Sequence, residues 1–133
     1  MWFAEIEDKV VNFVRYELAT KRNAKYPKLN VTSASADDNP STFPTLYIHE
    51  LSPMETGQTL EGTDVNAIMS TFEIQVFTNT NEPDCKKIVS DAIGAMKQLR
   101  FSVTMFPNVL TQNNTQIAIA RFRRVIGCND VLY

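Results

Sequence analysis

A chain of 133 residues with 44% hydrophobic and 21% charged side chains has the balance of one folded domain, not of a disordered tail. Thirteen basic residues against fifteen acidic ones leave a formal net charge of −2, which argues against a general nucleic-acid binder. No stretch approaches the ~18 consecutive apolar residues of a membrane helix, and Glu5, Glu7 and Asp8 break any secretion-signal pattern, so the expected setting is the cytoplasm or a particle assembled there.

The first predicted element is a helix over residues 3–22. Phe3, Ile6, Val10, Phe13, Val14 and Leu18 recur at helical spacing, while Glu5, Asp8, Lys9, Asn12, Arg15 and Lys21 fall on the wet side. Acidic residues come early and basic ones late, as the helix dipole prefers. Tyr26-Pro27 stops the helix, because the residue before a proline is pushed out of the α region. Residues 28–34 read as a short strand with Leu29 and Val31 on one face. The polar run 35–42 predicts an exposed loop.

Residues 43–51 form the next predicted strand, in which Leu46, Ile48 and Glu50 alternate with Tyr47, His49 and Leu51. The segment 52–64 carries Pro53, Gly57 and Gly62 and reads as a connection longer than the usual ~2–5 residues of a hairpin. The stretch 65–99 organises the rest of the chain. Residues 65–78 alternate as a long strand, with Ile68, Phe72, Ile74 and Val76 on one face and Thr71, Glu73 and Gln75 on the other. After Pro83 the period changes. Cys85, Ile88, Val89, Ala92, Ile93, Met96 and Leu99 make the stripe of a helix buried along one side. Pro83 and Asp84 suit its first turn, and Lys97 and Arg100 its last.

Phe101, Val103 and Met105 then alternate as a strand stopped by Pro107, and residues 108–114 read as a turn. The last predicted strand spans 115–126. Ala118, Ala120, Phe122, Arg124 and Ile126 share one face, and Ile117, Ile119, Arg121, Arg123 and Val125 the other. The expectation is a single α+β domain over residues 1–133. It has a mixed, mostly antiparallel sheet with two helices packed on one face, in the order α-β-β-β-α-β-β.

Catalytic patterns are missing from the sequence, and no enzyme activity or cofactor is expected. The one histidine, His49, lies mid-strand beside Glu50, whose side chain points the other way. No serine stands in a G-x-S-x-G elbow, no glycine-rich phosphate loop occurs, and one histidine with two cysteines falls short of a zinc ligand set. Cys85 reads as a buried apolar side chain, and a bridge to Cys128 has only weak support from spacing. Asp37-Asp38 reads as loop solvation.

Two features point to contact surfaces. In Arg121-Phe122-Arg123-Arg124 the arginines serve either as charges guarding an edge strand or as a basic surface for another subunit or passing nucleic acid. The face bearing Tyr47, His49, Thr71, Glu73 and Gln75 is polar but laced with aromatics. It reads either as wet sheet or as a docking surface.

The chain resembles the tail terminator (tail completion, or head–tail joining) proteins of long-tailed bacteriophages. The likeness covers nearly the whole chain and lies in its order of elements: an amphipathic N-terminal helix and a long segment between the second and third strands. It continues in the strand Phe72-Glu-Ile-Gln-Val-Phe-Thr-Asn, the helix from Cys85 to Leu99 followed by Arg100-Phe101, and the closing Arg121-Phe-Arg-Arg-Val-Ile-Gly. The resemblance implies a structural virion protein with no catalytic site. It forms a homo-oligomeric ring, typically of six copies, that caps the tail tube, ends its polymerisation and offers a surface to the head connector or stopper protein. DNA passes through the lumen without sequence-specific binding, and no membrane is involved. On this expectation Tyr47, His49, Thr71, Glu73, Gln75, Arg121, Arg123 and Arg124 are candidate interface residues, and the segments 35–42 and 53–64 meet other subunits or the tube. A neighbouring head–tail joining protein fits nearly as well. A small ferredoxin-like ligand-binding domain using the face around Tyr47 and His49 is the rival of another class.

Overall fold

The computed structural model describes residues 2–33, 43–58, 65–112, 114–130 and 132. The predicted first helix is present in three parts. A 3-10 turn, Trp2–Glu5, leads into α1, Ile6–Arg15, which ends in a π-helical turn, Tyr16–Thr20. Ile6, Val10, Val14 and Leu18 are buried as their spacing requires, and Val11 joins them. The second helix, α2, spans Glu82–Gln98. Cys85, Ile88, Val89, Ala92, Met96 and Leu99 all lie in the core. Its start is fixed by Asn81, whose side-chain oxygen accepts from the Asp84 amide at 2.9 Å.

Among the described residues six strands form one sheet: β1 (Asn30–Thr32), β2 (Thr45–Gln58), β3 (Val65–Thr78), β4 (Ser102–Met105), β5 (Val109–Gln112) and β6 (Thr115–Gly127). Their order is β1-β2-β3-β6-β4, and β5 also pairs with β6. Among the described residues only β1 runs parallel to its neighbour; every other pairing is antiparallel. The fold is therefore α+β with a mixed, mostly antiparallel sheet and two helices.

Three expectations change. First, residues 52–58 are not loop. β2 continues through them to Gln58, because a bulge between Leu51 and Met54 takes up Pro53 and lets Met54 pair with Met69. Gly57 holds a positive φ of 67° in this extension, where a side chain would be strained. The connection that remains, 59–64, lies outside the described residues, as does the predicted loop 35–42. Second, residues 109–112 are a strand and not part of a turn, so the order is α-β-β-β-α-β-β-β. Third, β6 is not an edge strand. It is paired on one side by β3 and on the other by β4 and β5. Edge protection is therefore not the reason for its arginines.

The core lies between the helices and one face of the sheet. Leu46 and Ile48 of β2, Phe72, Ile74 and Val76 of β3, and Ala118, Ala120 and Phe122 of β6 are fully buried on that face. Phe72 pairs across the strands with Phe122 and meets Phe101 edge to face, with ring centroids 5.4 Å apart. The N-terminal helix is tied down by named contacts. The Trp2 indole N–H donates to the Val65 carbonyl at 3.2 Å, and the Glu50 amide donates to the Glu7 carboxylate at 2.9 Å. Both cysteines are free thiols; Cys85 is buried and Cys128 exposed.

Candidate interface on the helix-free sheet face

Strand alternation and register together place the candidate residues. The side chains that point away from the helices form rows across β2, β3 and β6. Tyr47 lies beside Gln75 and Ile119, His49 beside Glu73 and Arg121, and Leu51 beside Thr71 and Arg123. Seven of the eight predicted residues are thus brought onto one continuous surface: Tyr47, His49, Thr71, Glu73, Gln75, Arg121 and Arg123. The eighth, Arg124, projects to the opposite face. There its guanidinium donates to the Leu99 carbonyl at 3.1 Å and to Asp130 at 2.5 Å, joining β6 to the end of α2 and the segment after β6.

The surface has three bands. At one end Phe77 and Ile117 are buried beside one another, with Leu110 exposed next in the row. At the other end Met54, Met69 and Val125 form a row in which Met54 and Val125 are exposed. Sequence alternation marks Val125 as sharing this face, but Met54 is hidden inside a segment whose composition reads as loop.

The middle band is charged. Glu73 is only 8% exposed although no helix among the described residues covers it. Its carboxylate accepts from Arg121 Nε at 2.9 Å and from the Gln75 amide at 2.8 Å, and His49 Nε2 lies 4.0 Å away. Burial alone would raise the Glu73 pKa. The hydrogen bonds from Gln75 and Arg121 and the nearby positive charge outweigh it and hold the carboxyl below its ordinary range. Tyr47 stacks on His49 with ring centroids 4.6 Å apart and planes 21° from parallel. His49 Nδ1 is buried without a hydrogen-bond partner among the described residues. Arg123 is exposed, and no ion pair is formed by it among the described residues.

This arrangement positions donors and apolar side chains over a broad surface, which suits a protein partner better than a small molecule. A cleft of about 310 Å3 lies elsewhere, against the start of α2, lined by Tyr26, Pro44, Thr78, Asn79, Asp84 and Lys87. None of the eight predicted residues lines it. Tyr26 there donates to Asp91 at 2.5 Å, and burial together with that carboxylate pushes its phenol pKa upward. Among the described residues no group of three or more His, Cys, Asp or Glu is placed to hold a metal ion, and no helix is long and apolar enough to cross a membrane.

No protein-family model matches this chain, and no curated protein matches it.

Proposed function

We propose that the chain is a structural virion protein of the tail-terminator kind. In this reading it forms a ring, of six copies, that caps a tail tube and presents a surface to the head connector. The observation that carries the proposal is the helix-free sheet face. An ordinary wet face of an antiparallel sheet is polar throughout. This one keeps Glu73 and Phe77 nearly buried, exposes Met54 and Val125, and leaves Arg123 with no ion-pair partner among the described residues. Apolar side chains beside arginine are enriched in protein interfaces.

The mechanism is occupancy. A ring closes by heterologous contacts, in which one surface of each subunit meets a different surface of the next. The helix-free face supplies one of those surfaces, with Arg123 meeting a neighbour's carboxylate and the Met54–Val125 band excluding water. A closed ring seated on the last tube ring covers the surface that further tube subunits need.

Native mass measurement of the wild-type chain, alone and with tail tubes, tests the reading. The expected result is a hexamer, or a monomer that becomes hexameric on the tube. Arg123→Glu is expected to weaken that assembly at least tenfold while leaving the melting temperature within about 2 °C, since an exposed charge contributes little to folding. A chain that never associates with itself or with tubes overturns the proposal. Normal rings from Arg123→Glu remove this arginine from the contact.

A further inference from the structure

The cations of this chain are gathered on its helical side. Between Glu17 and Asp37 the sequence holds Lys21, Arg22, Lys25 and Lys28 and no acidic residue. The fold brings part of this segment beside the outer surface of α2, where Lys86, Lys87 and Lys97 are exposed. A furrow runs between them. One part, of about 690 Å3, is lined by Lys25, Tyr26, Lys86, Lys87, Ser90 and Asp91. The other, of about 240 Å3, shares Lys25 and Asp91 and continues to Glu17, Lys21, Gly94 and Gln98. From Lys86 to Gln98 the helix rises about 18 Å.

Three properties of the furrow bear on what fills it. Its acids are engaged: Glu17 holds Lys21 at 3.0 Å, Asp91 holds Lys25 at 3.4 Å, and Glu82 holds Lys86 at 3.0 Å. Exposed pairs of this kind contribute little, so the lysine ends are free to move to a stronger acceptor. Lys87 is exposed and forms no ion pair among the described residues. Second, the floor is low. Gly94 lies inside α2, where glycine is destabilising relative to alanine, yet a Cβ placed there meets nothing within 4 Å. No other part of the described chain needs its small size. Third, apolar anchors are missing. None of the large apolar side chains exposed among the described residues lines the furrow. Protein interfaces are built on such anchors and are poor in lysine. A phosphate backbone is held by lysines and small polar groups without them.

We infer that this furrow binds the phosphodiester backbone of duplex DNA without reading its sequence. Lys25, Lys86 and Lys87 meet phosphates, the Ser90 hydroxyl donates to one, and Gly94 lets the strand come close to the helix. Such contacts carry no sequence information. A duplex is favoured over a single strand, which is held by stacking on exposed aromatic rings. Tyr26 in the wall is part-buried, and its hydroxyl donates to Asp91. The net charge of −2 argues against binding over the rest of the surface, while the local run of lysines gives this side a positive field. The inference is independent of the ring reading, whose contact residues lie on the sheet face turned away from the helices.

The test is fluorescence anisotropy of the full chain with two short labelled DNA duplexes of unrelated sequence, over a series of salt concentrations. The two duplexes are expected to bind within about twofold of each other. The logarithm of affinity is expected to fall against the logarithm of salt with a slope of about −3, for three lysine contacts. Lys86→Gln with Lys87→Gln is expected to weaken binding at least tenfold at low salt and to flatten that slope by about 2. Gly94→Leu keeps every charge but fills the floor. It is expected to weaken binding at least threefold with the melting temperature unchanged or higher. The control Lys9→Gln removes an exposed lysine that does not line the furrow and is expected to leave the affinity unchanged. A wild type with no salt-dependent binding overturns the inference, as does full affinity in the double variant or in Gly94→Leu, or an equal loss in the Lys9 control. Polyglutamate that competes as well as DNA of equal charge overturns it too and hands the furrow to an acidic protein. Ring formation is expected to be unchanged in the double variant. A wild type that binds DNA here but forms no ring overturns the ring reading alone.

Discussion

Glu73 and Arg121 meet at 2.9 Å across β3 and β6, on the face of the sheet turned away from α1 and α2. The pair is lopsided: the carboxylate is nearly buried, while the Arg121 side chain is 49% exposed. Removing the arginine therefore leaves a carboxylate that water reaches poorly. Arg121→Ala is expected to cost about 1 kcal/mol at pH 7, the scale of a charged hydrogen bond discounted for the exposed partner. The Glu73 pKa is lowered in the folded chain, so its contribution is present above the ordinary carboxylate pKa and is lost as pH falls through the folded value. Urea unfolding is expected to show the Arg121→Ala deficit at pH 7 and to show it shrinking at pH 3. The double variant Glu73→Gln, Arg121→Ala is expected to be more stable at pH 7 than Arg121→Ala alone.

Glu50 gives the opposite sign. It faces the helix side of β2, where Ser70 donates to it and Glu7 lies close. Burial raises its pKa; the Ser70 hydrogen bond lowers it and the Glu7 charge raises it again, leaving a net rise. Its contribution to stability is thus fullest below the ordinary carboxylate pKa and falls as pH rises through the folded value. Glu50→Gln is expected to raise the melting temperature at pH 7 by about 1–3 °C, a modest gain because the carboxyl is only part-buried and solvent screens its charge. At pH 4 the gain is expected to fade. An equal gain at both values would show that charge is not the cause.

Asn81 carries the start of α2 through its bond to the Asp84 amide. Asn81→Ala is expected to cost about 1 kcal/mol, and Asn81→Ser much less, because serine caps by the same route. Hydrogen exchange of the first-turn amides, with urea unfolding, checks both.

Phe72 is the keystone of the aromatic cluster with Phe101 and Phe122, all fully buried. Phe72→Ala is expected to cost about 3–5 kcal/mol, a large share of the roughly 5–15 kcal/mol that holds a domain folded. Thermal denaturation reads the result directly.

How much of the fold is legible in the residues alone depends on how local each signal is. The α2 stripe and the alternation of β3 and β6 are legible because their periods repeat over many residues and each helix or strand buries one side. The faces of Tyr47, His49, Glu73 and Arg121 are legible for the same reason. Strand β5 is not. Asn108-Val-Leu-Thr-Gln-Asn-Asn carries turn chemistry, and only pairing with β6 draws its four central residues into a strand. The far half of β2 is masked by Pro53 and Gly57, whose usual meaning is a turn; the bulge at Leu51/Met54 absorbs the first. The central place of β6 depends on pairing across long sequence separations, which no window of residues encodes. Arg124 groups with its neighbours in sequence, whereas alternation alone already puts it on the other face. Its partner Asp130 lies past the end of the strand and gives no periodic signal.

The position of β6 also sets a schedule for synthesis. Strand β3 ends at Thr78, yet the strand that completes its pairing runs from Thr115 to Gly127. A ribosome adding about 5–20 residues each second needs roughly 2–10 s to pass from one to the other. During that interval Phe72, Ile74 and Val76 have no neighbour on one side, and α2 has half its seat missing. A chaperone that holds apolar strands is expected to engage the nascent chain in that window and to let go once residue 127 has emerged.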